Sequence, residues 1–306
     1  MRIASIDIGT NTILLLIADV TSTGIHRVVH DEQVIARLGK GVDAARMISP
    51  GTFRRVTAFL ADYKKRCGEF RVDVIIATGT SALRDAANSG EFCQFVLEQT
   101  GISIEIISGE EEAHWTYRGG ISEFAHRSNS FSVIDIGGGS TEIIVGDARV
   151  IAQKTSLNIG SVRITERFLK TSPPDKESIA EAQHFVKSLM PHEILRIIPS
   201  TLAIGVAGTA TTLAAIQQRL PLYEPSKISG FQLSPSMVRS MLEDLRGKNI
   251  EEIKSIPQIS EGRADIIVAG IIILLEFMEA ANLQTLTVSD RGLRYGIVLR
   301  EIEKAH

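Results

Sequence analysis

Two stretches of this chain repeat one short plan, and that repetition limits the fold more than any other feature. Residues 6–17 read IDIGTNTILLLI, and residues 134–143 read IDIGGGSTEI. In each, an aspartate sits inside an apolar run, a glycine-containing bend follows, and a threonine leads into a second apolar run. A strand–turn–strand unit that occurs once at the N-terminus and once near the middle implies two lobes built alike. The length of 306 residues agrees, being generous for one core and comfortable for two.

The pattern around each copy extends the argument. Residues 2–8, 12–19 and about 26–37 read as three strands joined by tight turns. Phe53, Val56, Phe59, Leu60 and Tyr63 then recur at helical spacing. Strand 72–79, one or two helices over 80–101, strand 102–108 and a helix from 109 complete a βββαβαβα order. The second half repeats it. Three strands span 130–137, 140–147 and 148–158, with helices at about 161–169 and 175–190. Strand 200–208, helix 209–219, strand 283–290 and a last helix from 291 follow. Strands alternating with helices imply a mainly parallel sheet in each lobe. Prolines mark 171–175 and 219–227 as loops. The polar stretch SEFAHRSNS places the boundary near 124, giving lobes 1–124 and 125–306. The last helix, about 292–306, is open to packing back on the first lobe.

Composition removes several function classes. A formal net charge of −3 argues against a general nucleic-acid coat, and aromatic residues, at 5%, do not interleave with basic ones. Cys67 and Cys93 are the only cysteines, and the seven histidines form no metal-type pair, so a zinc site is not expected. With Arg2 and Asp7 in the first run, no signal peptide is expected. The longest apolar stretch, IIVAGIIILLEFM, is broken by Glu276 and too short to span a bilayer, so it reads as a buried helix. A cytoplasmic protein is expected.

Asp135, at a strand end beside three glycines, is placed to hold magnesium through water. Gly137, Gly138 and Gly139 let backbone N–H groups approach phosphate oxygens, and Ser140 and Thr141 add hydroxyls. A plain hairpin turn is the alternative, and a second Asp-bearing turn with Asp7, Gly9, Thr10, Asn11 and Thr12 weakens it. Gly205, Gly208, Thr209 and Thr211 open a helix whose N-terminus suits an anion, although Gly plus Thr also makes an ordinary capped turn. No Walker loop is present. In SGEEEAHWTY, Ser108 and Glu111 fit a capping box, which leaves Glu110 and Glu112 without that task. Glu110 is expected to face solvent, and Glu112 is the better candidate for a base. Arg84, just past a strand end, could clamp a phosphate or lie on a helix surface. Arg291 and Arg294 are open to local pairing or to a place on a cleft rim.

Together the stretches IDIGTNTILLLIADV, RLGKGVD, ATGTSALRDAAN, IEIISGEEEAHWTYRGG, VIDIGGGSTEIIVG, GVAGTATTLAA and SEGRADIIVAGIIIL resemble, in order and over essentially the whole chain, the Ppx/GppA family of exopolyphosphatases and guanosine pentaphosphate phosphatases. The resemblance implies an α/β fold of two actin-like, ribonuclease H-like lobes (the ASKHA class) with the active site in the interlobe cleft. It implies Mg²⁺-assisted in-line attack of water on the terminal phosphate of polyphosphate, or on the 5′ γ-phosphate of pppGpp. It assigns Glu112 as catalytic base and Asp7, Asp135 and Glu142 to the metal. Phosphate falls to Arg84 and to the glycine- and threonine-rich loops, and a homodimer is expected. The chain resembles the short, two-lobe type, and Ser229 stands where the family often has His.

Two other readings fit the same fold: a small-molecule kinase, and a non-catalytic regulator that binds guanosine penta- or tetraphosphate. ATP turnover with and without acceptors separates the first. Tight nucleotide binding without phosphate release marks the second.

Overall fold

The computed structural model describes residues 1–304. Contacts divide the chain into two units, 1–119 with 293–306, and 120–292, of which residues 305 and 306 lie outside the described part. The division falls in the last turn of a helix, five residues before the expected boundary. There Gly120 packs on Val133 and Val206 of the second unit, where a Cβ would stand 3.1 Å from a Val206 methyl. The final helix belongs to the first unit.

The first unit runs β1 (Arg2–Ile8), β2 (Thr12–Thr21), β3 (Gly24–Ile35), α1 (Val42–Ala45), α2 (Pro50–Glu69), β4 (Val74–Gly79), α3 (Ser81–Asp85), α4 (Ser89–Thr100), β5 (Ile104–Ile106) and α5 (Gly109–Ile121). Its sheet order is β3-β2-β1-β4-β5, with β1, β4 and β5 parallel and β2 antiparallel to both its neighbours. The continuous apolar runs of β1 and β2 suit strands covered on both faces. Ile13, Leu15 and Ile17 join the core under α2 and α4, while the alternate Leu16, Ala18 and Val20 meet the chain's last helix. Helix α2 starts at Pro50, because Ser49 accepts from the Thr52 N–H and proline suits the first turn.

The second unit runs β6 (Phe131–Ile136), β7 (Thr141–Gly146), β8 (Ile151–Leu157), α6 (Ser161–Phe168), α7 (Lys176–Ser188), α8 (His192–Leu195), β9 (Leu202–Val206), α9 (Ala207–Gln217), α10 (Pro225–Ile228), β10 (Gln232–Leu233), α11 (Pro235–Arg246), α12 (Ile250–Lys254), α13 (Ile267–Ala280) and β11 (Leu286–Val288). Helix α14 (Leu293–Lys304) then completes the first unit. The second sheet is ordered β10-β11-β9-β6-β7-β8, which reproduces the first with the short β10 added at one edge. The expected class, α/β with two ribonuclease H-like units, is therefore the observed one. Residues 219–227 are not all loop, since Pro225 starts the short α10; Pro at a first helical position costs no hydrogen bond.

Helix α13 is apolar all round and buried along most of its length among α6, α7, α9 and α11. Its one buried acid, Glu276, meets Gln183 at 3.3 Å, and burial pushes its carboxyl above the ordinary value. Among the described residues, no helix is long and apolar enough to cross a membrane.

Candidate active site

The two Asp-bearing turns are built alike in detail. In the first, Ile8 pairs with Ile13 across four intervening residues, and the Gly9 N–H donates to Thr12 O at 3.0 Å. In the second, Ile136 pairs with Thr141 across four, and the Gly137 N–H donates to Ser140 O at 3.0 Å. A Cβ at Gly9 or Gly137 would crowd that same carbonyl, at 3.0 and 3.1 Å. The turn itself therefore asks for glycine at its first position.

In the second unit, the start of α6 holds the glycine loop by its carbonyls. Ser161 N–H donates to Gly137 O, Val162 and Arg163 N–H to Gly138 O, and Arg163 Nε to Gly139 O, at 2.8 to 3.1 Å. With those carbonyls engaged, no acceptor among the described residues meets the N–H of Gly138 or Gly139. Two adjacent amides without a partner form a phosphate-type donor pair. Thr141 is fully buried and its hydroxyl donates to Ile159 O at 2.7 Å, so it anchors the loop rather than offering a donor to phosphate. This corrects the expectation for that residue.

Asp135 and Glu142 stand directly opposite each other on β6 and β7. Glu142 is buried and accepts from Ser156 Oγ at 2.7 Å. Like charges facing across a ladder are unfavourable, and a bound cation would offset that. Two carboxylates suit a hard, oxygen-seeking ion such as Mg²⁺, which commonly takes one or two protein carboxylates and completes its shell with water and substrate phosphate. No group of three or more His, Cys, Asp or Glu side chains that could hold a metal ion occurs among the described residues. Asp7 lies in the first unit, opposite Leu14.

The β9–α9 junction departs from an ordinary capped turn. No side chain caps α9, and Thr211 instead donates back to Ala207 O at 3.1 Å. Ala207 has φ 63, a strained conformation for a residue with a Cβ. Thr209 is buried against Gly270 of α13. Gly208 leaves room for Arg263, whose Nη2 would stand 2.5 Å from any Cβ there. Arg263 was not among the residues singled out from sequence. SEGRAD lies far from the glycine loops in the chain, and only the fold brings its guanidinium onto Gly208.

In the first unit, Thr10 and Asn11 are buried. Their carbonyls accept from Gly39 at 2.8 Å, and from Ala36 and Arg37 at 2.9 and 2.8 Å. The stretch RLGKG therefore clasps this turn as α6 clasps its counterpart. At the start of α5, Ser108 and Glu111 form the expected reciprocal cap, with three contacts of 3.0 to 3.1 Å. Glu110 is exposed and Glu112 is buried. Glu112 Oε2 receives Arg84 Nη1 at 2.6 Å, and the same nitrogen reaches Ile107 O at 3.1 Å. Sequence named both residues without pairing them. Burial raises the Glu112 carboxyl above its ordinary value, and this outweighs the lowering by Arg84.

That balance has a sign that can be measured. In the role of base that the resemblance assigns it, Glu112 would work deprotonated, so the acid limb of activity should follow its carboxyl and lie above the ordinary glutamate range. Arg84→Gln removes the opposing charge, raises that carboxyl further and should move the acid limb to higher pH. A kcat/KM–pH profile of the variant with an unmoved limb would separate the limb from this pair.

Of the two arginines late in the chain, Arg294 pairs with Asp31 at 3.1 Å within the first unit. Arg291 reaches Ser122 at 3.2 Å within the second. Ser229 donates to Glu123 at 2.7 Å and accepts from the Asp290 N–H at 3.0 Å, so its hydroxyl is engaged inside the fold.

Comparison with known proteins identifies the family. The profile of the Ppx/GppA phosphatase family matches residues 16–305. Exopolyphosphatase 2 of Mycobacterium tuberculosis is 35% identical over 313 aligned positions, covering 97% of this chain and 98% of that protein. The guanosine-5′-triphosphate,3′-diphosphate pyrophosphatase of Vibrio cholerae is 27% identical, covering 98% of this chain and 59% of its own length. The crystal structure of the Aquifex aeolicus Ppx/GppA family member superposes with a TM-score of 0.83 at 31% identity, covering 100% of this chain and 99% of that one. The duplicated turns, the clasped glycine loop and the capped acidic helix are thus those of an enzyme that belongs to the Ppx/GppA phosphatase family.

Proposed function

We propose that this enzyme releases the terminal phosphate of inorganic polyphosphate, or the 5′ γ-phosphate of pppGpp, with Glu112 as the base. The observation that carries the reading is the buried Glu112, freed from capping duty by Glu111 and held by Arg84 at 2.6 Å. A carboxylate raised by burial and fixed in one orientation suits removal of a proton from an attacking water. The water oxygen bonds to the terminal phosphorus as its proton passes to Glu112. The bridging P–O bond breaks, and the shortened chain leaves with the electron pair. The N–H groups of Gly138 and Gly139 would hold phosphate oxygens, and Arg263 beside Gly208 would add positive charge. The two substrate classes are those in the names of the relatives from M. tuberculosis and V. cholerae.

Asp135 and Glu142 would hold Mg²⁺, with Asp7 as a further candidate; when bound, the ion would neutralise charge on the phosphate chain. A homodimer in the cytoplasm belongs to the same proposal. The test is phosphate release from long polyphosphate, short polyphosphate and pppGpp, each with and without magnesium. Magnesium-dependent release is expected from at least one, and the ranking names the preferred substrate. No release with tight nucleotide binding would favour the regulator, and ATP turnover only with an acceptor would favour the kinase.

A further inference from the structure

We propose that α14 is the positioning element for the Arg84–Glu112 pair, with Gly296 its critical residue; the inference rests on the role given to Glu112 above. Gly296 lies directly on the backbone of α5. A Cβ there would overlap the Trp115 carbonyl oxygen and stand 2.5 Å from the carbonyl carbon and 3.0 Å from Cα. Those are backbone atoms, which cannot swing aside as a side chain can. Trp115 follows Glu112 by three residues on α5, so its peptide is fixed one turn from the carboxylate.

A second contact reaches the other side of the pair. Leu293 and Ile297 form a buried cluster with Ile107, and Trp115 packs against it. Ile107 supplies the carbonyl that receives Arg84 Nη1 at 3.1 Å. One helix therefore touches both backbone segments that fix Arg84 and Glu112.

Helix α14 is itself firmly seated. Tyr295, Val298 and Ile302 pack on Ile3, Leu16, Ala18 and Val20 of β1 and β2. Arg294 and the Tyr295 hydroxyl reach Asp31 at 3.1 Å. Arg300 holds Glu105 at 2.7 Å, and Arg118 of α5 holds Glu303 at 2.6 Å. Anchored at both ends, α14 has no slack to absorb an added methyl at Gly296. Packed interiors pass such a displacement on, here to α5.

The experiment compares Gly296→Ala, Leu293→Ala and Ile302→Val with the wild type. Ile302 packs on the sheet from the same helix, so its variant reports lost stability alone. Gly296→Ala should lower kcat by about tenfold or more with KM little changed, since misplacement of about 1 Å can cost 10²-fold. Its acid limb should move to higher pH as Glu112 slips from Arg84. Leu293→Ala should move kcat and limb the same way by less, and it carries the test if Gly296→Ala does not fold. Ile302→Val should lower Tm and leave kcat and the limb in place.

A folded Gly296→Ala enzyme with wild-type kcat and limb would overturn the proposal. So would Ile302→Val shifting the limb as far as Gly296→Ala does. Glu112→Gln, assayed alongside, separates the two claims. If that variant stays active, the base assignment has failed; if it is inactive while Gly296→Ala behaves as wild type, only the positioning role has.

Discussion

Glu112→Gln is expected to lower kcat by on the order of 10²–10⁴, the usual worth of a positioned general base, with KM little changed. The amide matches the carboxylate in size and can still accept from Arg84, so the 2.6 Å contact and the packing of α5 have a near-equivalent. What is lost is the capacity to take a proton. The residual activity should also lose the acid limb that Glu112 imposes on the wild type. Neighbouring acids make the control. Glu110 is exposed, and Glu110→Gln should retain wild-type kcat. Glu111→Gln keeps an oxygen that can accept from Ser108 and loses only a negative charge in the first turn, so it should cost about 0.3–1 kcal/mol in stability, with the base still in place. Wild-type rates in Glu112→Gln, with the acid limb retained, would move the base elsewhere.

The contrast between Glu111 and Glu112 shows how far the sequence could be read. Capping depends on neighbours three residues apart, so the division of labour in SGEEEA is local and legible. The twin turns are equally local, and both sheets follow from apolar runs and alternating strands and helices. The loops between β9 and β11 were read less well. Helix α11 and the short α10 lie in a region rich in proline, where a start signal for a helix and a loop signal are the same residue. Contacts between distant segments were not legible at all. Nothing near Arg84 in the chain announces Glu112, nothing near Gly208 announces Arg263, and nothing in RGLRYG tells that its last glycine faces the Trp115 backbone. Each pairing is a product of the assembled fold. Thr141 failed for a related reason: a hydroxyl in a glycine loop reads as a ligand donor until the fold supplies Ile159 as its acceptor.

The same distinction sets the second large effect. Gly160→Ala should lower kcat/KM by about 10²-fold while leaving a cooperatively folded protein. Gly160 has an ordinary extended backbone, with φ −156, so alanine is not excluded by conformation. It is excluded by space. A Cβ there would stand 2.5 Å from the Gly138 carbonyl carbon and 2.6 Å from the Gly139 nitrogen. Either the start of α6 or the glycine loop must move. Moving α6 breaks the bonds from Ser161, Val162 and Arg163 that hold the loop carbonyls. Moving the loop misdirects the Gly138 and Gly139 N–H groups. The loss should therefore appear in phosphate binding as well as turnover, raising KM as Glu112→Gln does not. Glycine at 160 looks from sequence like routine helix punctuation. Its task is to let one backbone lie on another, an approach on which the proposed phosphate contact of the Gly138 and Gly139 amides depends. If Gly160→Ala kept wild-type KM and kcat, the loop amides would be irrelevant to substrate, and any phosphate contact from this unit would have to come from groups such as Arg263.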